Sequence, residues 1–91
     1  MDKVILYSMV GCPYCVELKE LLDDSGITYT DRDVKVHEEE WELVMKETKN
    51  EFIPTVIIIN EETGEGKVLL PDVHFDDIPD CFTQIVEYIT R

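Results

Sequence analysis

The order of predicted elements indicates an α/β fold, β-α-β-α-β-β-α, in which a four-stranded mixed sheet carries helices on both faces. Short apolar runs typical of strands alternate with segments in which apolar residues recur every three or four positions, as on a helix. A strand, a helix and a second strand within residues 3–34 form a βαβ unit, whose strands are parallel. At 91 residues, we expect one domain over 1–91.

The first half of the chain is predicted to hold strands over 3–8 and 27–34 and helices over 13–24 and 37–48. The first strand is apolar on both faces, which is typical of a central strand. The first helix has a leucine stripe and ends at Ser25-Gly26, where Gly26 suits the left-handed cap. The second helix begins with three glutamates, which favour the positive end of the helix dipole.

The second half is predicted to hold a hairpin and a last helix. Pro54 precedes the apolar run 56–59, and the start of a strand is one of the few places that admits proline. The polar turn 60–66 leads to a short strand over 67–70, which is antiparallel because the connection is short. Asp76 or Asp77 caps a helix that ends near residue 90. Its stripe of apolar residues includes Cys81, which we expect to pack as a small hydrophobe.

The chain is strongly acidic, with 21 acidic against 8 basic residues and a formal net charge of −13. This argues against nucleic acid or an anionic membrane as a partner. It favours solubility or, in a sharper interpretation, steering toward a basic protein partner. The sequence shows neither a signal-peptide pattern nor an apolar run of membrane-spanning length, so we expect a cytoplasmic protein. In a reducing compartment a cysteine pair is catalytic or metal-binding rather than a structural disulfide.

Two thiols, Cys12 and Cys15, lie three positions apart where the first strand meets the first helix. Pro13 suits the first helical turn, which leaves Cys12 at or beside the N-cap. There the orphan N–H groups and the helix dipole favour the thiolate, which is the nucleophile. Cys15 lies one turn later on the same side of the helix and can close a disulfide with Cys12. The pair therefore predicts thiol–disulfide exchange.

Two alternative roles exist for this pair. A structural zinc site needs four ligands, and the chain offers only Cys81, His37 and His74, which are widely scattered, so no metal is predicted. A purely structural disulfide is disfavoured because so small a loop removes little unfolded-state entropy.

The element order, with Cys-x-x-Cys opening the first helix, resembles the thioredoxin superfamily. The tetrapeptide at 12–15, Cys-Pro-Tyr-Cys, is that of dithiol glutaredoxins, and the flanking Tyr7, Gly11 and Lys19 agree with them. The resemblance implies a thioredoxin-like fold and a single glutaredoxin-like domain. It implies a thiol–disulfide oxidoreductase that reduces glutathione mixed disulfides or protein disulfides.

The resemblance also assigns roles to single residues. Cys12 is the attacking thiolate, and Cys15 is the resolving thiol. Tyr14 flanks the thiols and shapes the substrate groove. Pro54 is the cis-proline that faces the pair, and the main chain of Ile53 binds glutathione or an extended substrate strand. No tightly bound cofactor is expected, glutathione is the expected reductant and co-substrate, and the chain is expected to be a monomer.

Two departures from the family pattern leave alternatives open. No cation occupies positions 8–10, where glutaredoxins carry a lysine or arginine that binds a glutathione carboxylate. The family's Gly-Gly turn is absent from 70–77, where Asp76 or Asp77 matches the family's aspartate. One alternative is a donor to ribonucleotide reductase that is reduced by the flavin-dependent thioredoxin reductase. Another is an iron–sulfur carrier in which Cys12 and an external thiol bind a cluster.

Overall fold

The computed structural model describes residues 2–91, and the elements within them follow the predicted order, which confirms the α/β class. The strands are β1 (Asp2–Ser8), β2 (Thr30–Asp33), β3 (Thr55–Asn60) and β4 (Gly66–Leu69). The helices are α1 (Pro13–Asp24), α2 (Glu38–Thr48) and α3 (Ile78–Ile89). None of the helices within residues 2–91 is long and apolar enough to cross a membrane.

The four strands form one mixed sheet in the order β2-β1-β3-β4. β1 is parallel to β2 and antiparallel to β3, and β3 is antiparallel to β4. β1 is therefore central, as its apolar sequence predicts. Tyr7, near the end of β1, lies opposite Thr55, at the start of β3. This register brings the turn after β1 beside the segment that precedes β3, and the candidate site is built from these two segments.

Helices cover both faces of the sheet. α1 and α3 pack on the face that presents Val4 and Leu6, where the larger core forms. α2 covers the opposite face through Trp41, which packs on Tyr7 with 5.5 Å between the ring centroids. The Tyr7 hydroxyl donates to Glu40 at 2.7 Å. Burial, and then this carboxylate, raise the pKa of Tyr7 above its ordinary value. β1 is thus buried on both faces by alternate residues.

The second strand is shorter than predicted, because its first residues belong to the end of α1. Gly26 adopts φ +70, a conformation that glycine reaches without a Cβ penalty. Its N–H donates to the Asp23 carbonyl at 3.1 Å, and the Ile27 N–H donates to the Leu22 carbonyl at 2.9 Å. This is a Schellman motif. Since Ile27 is committed to the helix end, pairing with β1 begins only at Thr30.

Other boundaries differ from the prediction by one residue, among them the starts of α2 and β4. The second helix begins at Glu38, and His37 is its half-buried N-cap residue rather than its first helical residue. β4 begins at Gly66, which was predicted to belong to the turn but pairs with Ile59. At the last helix, Asp77 is the capping residue of the two that the sequence offered.

Candidate active site

A tight turn carries the chain from β1 into α1 and positions the first thiol. Gly11 adopts φ +86, which residues with a Cβ rarely adopt. The Cys12 N–H then donates to the Met9 carbonyl at 3.2 Å. Cys12 has extended backbone angles and is the N-cap of α1, with Pro13 at the first helical position. The turn therefore places the Cys12 sulfur at the positive end of the α1 dipole.

Cys12 and Cys15 are joined by a disulfide, with their Cα atoms 5.3 Å apart. The Cys15 N–H also donates to the Cys12 sulfur at 3.1 Å, which is the bond an N-cap side chain makes. Cys12 is 8% exposed and Cys15 only 1%. A substrate therefore reaches the Cys12 sulfur first, and Cys15 lies behind it within bonding distance.

The segment before β3 is shaped by side-chain hydrogen bonds at both of its ends. Asn50 accepts from the Phe52 N–H at 2.6 Å, and the Thr55 hydroxyl donates to the Phe52 carbonyl at 2.8 Å. The bond between Ile53 and Pro54 is cis, and Pro54 is buried. Within residues 2–91, neither the N–H nor the carbonyl of Ile53 has a hydrogen-bond partner. These two groups can therefore pair with an extended segment of another chain.

The segment between β4 and α3, where the family has its Gly-Gly turn, is an ordered turn. Asp72 adopts φ +62, a region that aspartate tolerates better than most residues. Its N–H donates to the Phe75 carbonyl at 2.9 Å. The Leu70 N–H donates to His74 Nδ1 at 3.0 Å, and Gln84 of α3 donates to the His74 carbonyl at 2.6 Å. Asp72 thus adopts the left-handed conformation although it is not glycine, and it places a carboxylate in this turn.

The first turn of α3 has few free N–H groups. Asp77 accepts from the Asp80 N–H at 2.8 Å. Pro79 has no N–H, and the Cys81 N–H donates to the Asp77 carbonyl at 3.2 Å. Of the first four helical residues only Ile78 keeps an unpaired N–H. This helix start is therefore poorly equipped to bind a carboxylate.

A groove of about 470 Å³ lies between these segments. It brings together the five residues that were predicted to contact substrate: Tyr14, Ile53, Pro54, Asp76 and Asp77. They come from α1, from the segment before β3 and from the start of α3. Tyr14, one of the two residues between the thiols, is 63% exposed. That these residues bind substrate stays a prediction.

The groove has further lining residues, and three of them that could contact a substrate were missed in the sequence: Glu17, Phe52 and Asp72. A signal existed for two of them. Glu17 is one turn beyond Tyr14 on α1, and Phe52 directly precedes the predicted contact residue Ile53. No sequence signal marked Asp72, because its place depends on the turn that replaces Gly-Gly. Among residues 2–91, the groove lining contains four carboxylates and no lysine or arginine.

A second polar cluster links α1 to the edge of the sheet. The Lys19 ammonium pairs with Asp31 at 2.8 Å. The buried Ser8 hydroxyl donates to the same carboxylate at 2.5 Å. Burial acts to raise the pKa of Asp31, but the hydrogen bonds from Lys19 and Ser8 and the charge of Lys19 hold it below its ordinary value. This cluster ties α1 to β1 and β2.

Cys81 lies in the core, fully buried on the inner face of α3. Burial, and then the charge of Asp80, raise the pKa of its thiol to about 12. It is therefore a packed, protonated side chain, which confirms the predicted structural role. The residues described, 2–91, contain no group of three or more His, Cys, Asp or Glu side chains that could hold a metal ion.

Together, the fold and the site define a protein of thioredoxin-like fold with a dithiol at the start of its first helix. Solved structures agree on the fold. A crystal structure of a mutant thioredoxin-like protein superimposes with a TM-score of 0.60 and 20% identity, over 98% of this chain and 100% of that chain. The solution structure of glutaredoxin from Brucella melitensis gives 0.52 and 22%, over 93% and 79%. The predicted thioredoxin-like fold is confirmed.

Sequence comparison shows the family. The glutaredoxin family model matches residues 4–63. Glutaredoxin 1 of Rickettsia felis is 30% identical over 66 residues, which cover 70% of this chain and 65% of that protein, slightly under two thirds of its length. Glutaredoxin 1 of Rickettsia prowazekii is 30% identical over 66 residues, covering 70% of each chain. The chain belongs to the glutaredoxin family.

Proposed function

We propose that this chain is a thiol–disulfide oxidoreductase in which Cys12 is the nucleophile and Cys15 the resolving thiol. The observation that carries the proposal is the pair itself: a disulfide at the N-terminus of α1, with its more exposed sulfur at the N-cap. The helix terminus favours the Cys12 thiolate, because the Cys15 N–H and the dipole stabilise negative charge there. Family membership supports the same activity.

The exchange proceeds in two balanced steps. The Cys12 thiolate attacks one sulfur of the substrate disulfide, forms a mixed disulfide and releases the other sulfur as a thiolate. The deprotonated Cys15 sulfur then attacks Cys12, forms the Cys12–Cys15 disulfide and releases the second substrate thiolate. Two electrons pass from the dithiol to the substrate, and the released thiolates take protons from water.

The substrate binds as an extended segment along the residues that precede β3. The free N–H and carbonyl of Ile53 pair with its main chain, as in the addition of a strand to a sheet edge. Pro54 forms the floor beside the thiols, and the exposed ring of Tyr14 forms the side wall. This arrangement serves either a glutathione mixed disulfide or a protein disulfide, because main-chain pairing does not depend on side chains.

Glutathione is the first candidate for the reductant that restores the dithiol, and no tightly bound cofactor is required. A flavin-dependent reductase is the second candidate, as for the glutaredoxin-like donors to ribonucleotide reductase. One observation favours the second. The start of α3 has a single unpaired N–H, and the neighbouring turn carries Asp72 in place of glycine. These features weaken the binding of the carboxylates of glutathione.

The test is to reduce the oxidised protein with glutathione alone, and separately with thioredoxin reductase and NADPH, following the thiols by mass spectrometry. Rapid reduction through a Cys12–glutathione adduct would support the first candidate. Reduction by the reductase alone would support the second. Cys12→Ser and Cys15→Ser are matched controls, and exchange that survives in Cys12→Ser would overturn the assigned nucleophile. A brown protein with visible absorption would instead favour the iron–sulfur carrier.

A further inference from the structure

We propose that the groove beside the thiols selects disulfide substrates whose polypeptide carries lysine or arginine next to the reactive cysteine. Substrates and thiols with carboxylates at those positions are disfavoured. The inference rests on the proposed exchange at Cys12 and adds the class of polypeptide that enters the groove. The site is defined by the thiols and by the unpaired main chain of Ile53, and the acidic residues around them decide which charge it accepts.

An extended polypeptide fits this groove better than a compact ligand. The free N–H and carbonyl of Ile53 are the groups that an extended chain requires. Two aromatic rings line the groove with much of their surface in solvent: Tyr14 is 63% exposed and Phe52 is 60% exposed. Exposed aromatic side chains are typical anchors of polypeptide partners. A bound segment therefore passes the Cys12 sulfur with its side chains directed into the groove.

The charges that such a segment meets are all negative. Glu17, Asp72 and Asp76 line the groove and are exposed. Within residues 2–91, the side-chain carboxylates of these three residues form no ion pair and no hydrogen bond with another residue. Asp77, the fourth carboxylate, is already engaged by the Asp80 N–H. The three free carboxylates come from α1 and from two parts of the segment before α3, so the groove carries negative charge on both of these segments.

A carboxylate in the same groove gains no compensating contact. The lining residues include no lysine, arginine or histidine, and the first turn of α3 keeps one unpaired N–H. The Cys12 thiolate adds a further negative charge in the reduced protein. A tripeptide with a carboxylate at each end, such as glutathione, therefore meets a field of the wrong sign. A segment with a lysine on each side of its cysteine meets a complementary one.

The test compares three short, end-blocked peptides that differ only in the residues beside a central cysteine. Each is supplied as a disulfide through that cysteine, and the rate at which the reduced protein attacks it is measured. The central cysteine is flanked by lysines, by glutamines or by glutamates. Acid quenching and mass spectrometry give the second-order rate constants. The lysine peptide should react about tenfold faster than the glutamate peptide at low salt. The ratio should fall below about twofold at 1 M salt, where the Debye length is about 3 Å. Equal rates at low salt would overturn the inference.

Matched triple variants separate the groove from the overall charge. One variant combines Glu17→Gln, Asp72→Asn and Asp76→Asn, and asparagine tolerates the left-handed conformation at position 72. The control removes the same three charges from exposed positions outside the groove. It combines Asp24→Asn, Glu47→Gln and Glu87→Gln.

The groove variant should reduce the lysine-to-glutamate rate ratio to below about threefold, whereas the control should keep most of it. If the lysine-to-glutamate rate ratio fell equally in both triple variants, the preference would come from the net charge, and the role of the groove would be overturned. If none of the three peptides reacts, even the neutral one, the proposed exchange at Cys12 is wrong. Reaction of all three at equal rates refutes only the selection by charge.

Discussion

Asp77 both caps α3 and lines the groove, and two substitutions separate these contributions. Asp77→Ala removes the hydrogen bond to the Asp80 N–H together with the negative charge. Asp77→Asn removes the charge but keeps an oxygen that can accept the same bond, because asparagine and aspartate cap helices about equally well. We expect Asp77→Ala to destabilise the protein and Asp77→Asn to leave its stability nearly unchanged.

The magnitude follows from the cap. The bond is 2.8 Å long and lies at an exposed helix end, so its loss should cost about 1 kcal/mol of unfolding free energy. In a domain of this size, 1 kcal/mol lowers Tm by about 4–8 °C. The Asp77→Asn variant should stay within about 0.5 kcal/mol of the unaltered protein. The side chain of Asp77 buries little surface, so no cavity adds to these values.

The assay is urea unfolding of the oxidised proteins, followed by circular dichroism and by the fluorescence of Trp41, which is 7% exposed. Asp76→Ala is the matched control, because Asp76 is the exposed neighbour and forms no cap. It should change the unfolding free energy by less than about 0.5 kcal/mol. The reasoning would be refuted if Asp77→Ala were as stable as this control, or if Asp77→Asn were as unstable as Asp77→Ala.

Three further predictions concern the thiols and the Asp31 cluster. In the reduced native protein an alkylating reagent should modify Cys12 first and Cys81 only on unfolding, because Cys81 is buried with a raised pKa; early labelling of Cys81, detected by mass spectrometry, would contradict this. Cys15→Ser should accumulate the mixed disulfide on Cys12, because no resolving thiol remains. A gel run without reductant measures this mixed disulfide, and its absence would contradict the role of Cys15. Asp31→Asn should cost about 0.5–1 kcal/mol at pH 7, since the native pKa of Asp31 lies below its ordinary value. This difference in unfolding free energy between the unaltered protein and the variant should persist above the unfolded pKa of about 3.9 and shrink as the pH falls through the native pKa. Urea unfolding at several pH values measures it, and a difference that stays constant down to acid pH would contradict the prediction.

Features that depend on neighbours in the sequence were predicted well. The bounds of α1, 13–24, match the prediction, because Pro13 and the Ser25-Gly26 end are local signals. The same holds for the central, doubly apolar β1 and for the buried Cys81. The second strand was predicted too long because Ile27 fits an apolar alternation equally well as a strand residue or as the last contact of a Schellman motif. Only the hydrogen bond to Leu22 distinguishes the two.

The amino-acid sequence by itself determined the order of the elements, the thiol pair at the start of α1 and the family resemblance, because each rests on short-range patterns. The tertiary structure decided what surrounds the thiols. The pairing of β1 with β3 brings the turn after β1 to the same edge of the sheet as the segment that holds Ile53 and Pro54, and the turn at Asp72 completes a groove with acidic lining. These neighbours are distant in the chain, so their shared electrostatic field exists only once the sheet has set their positions.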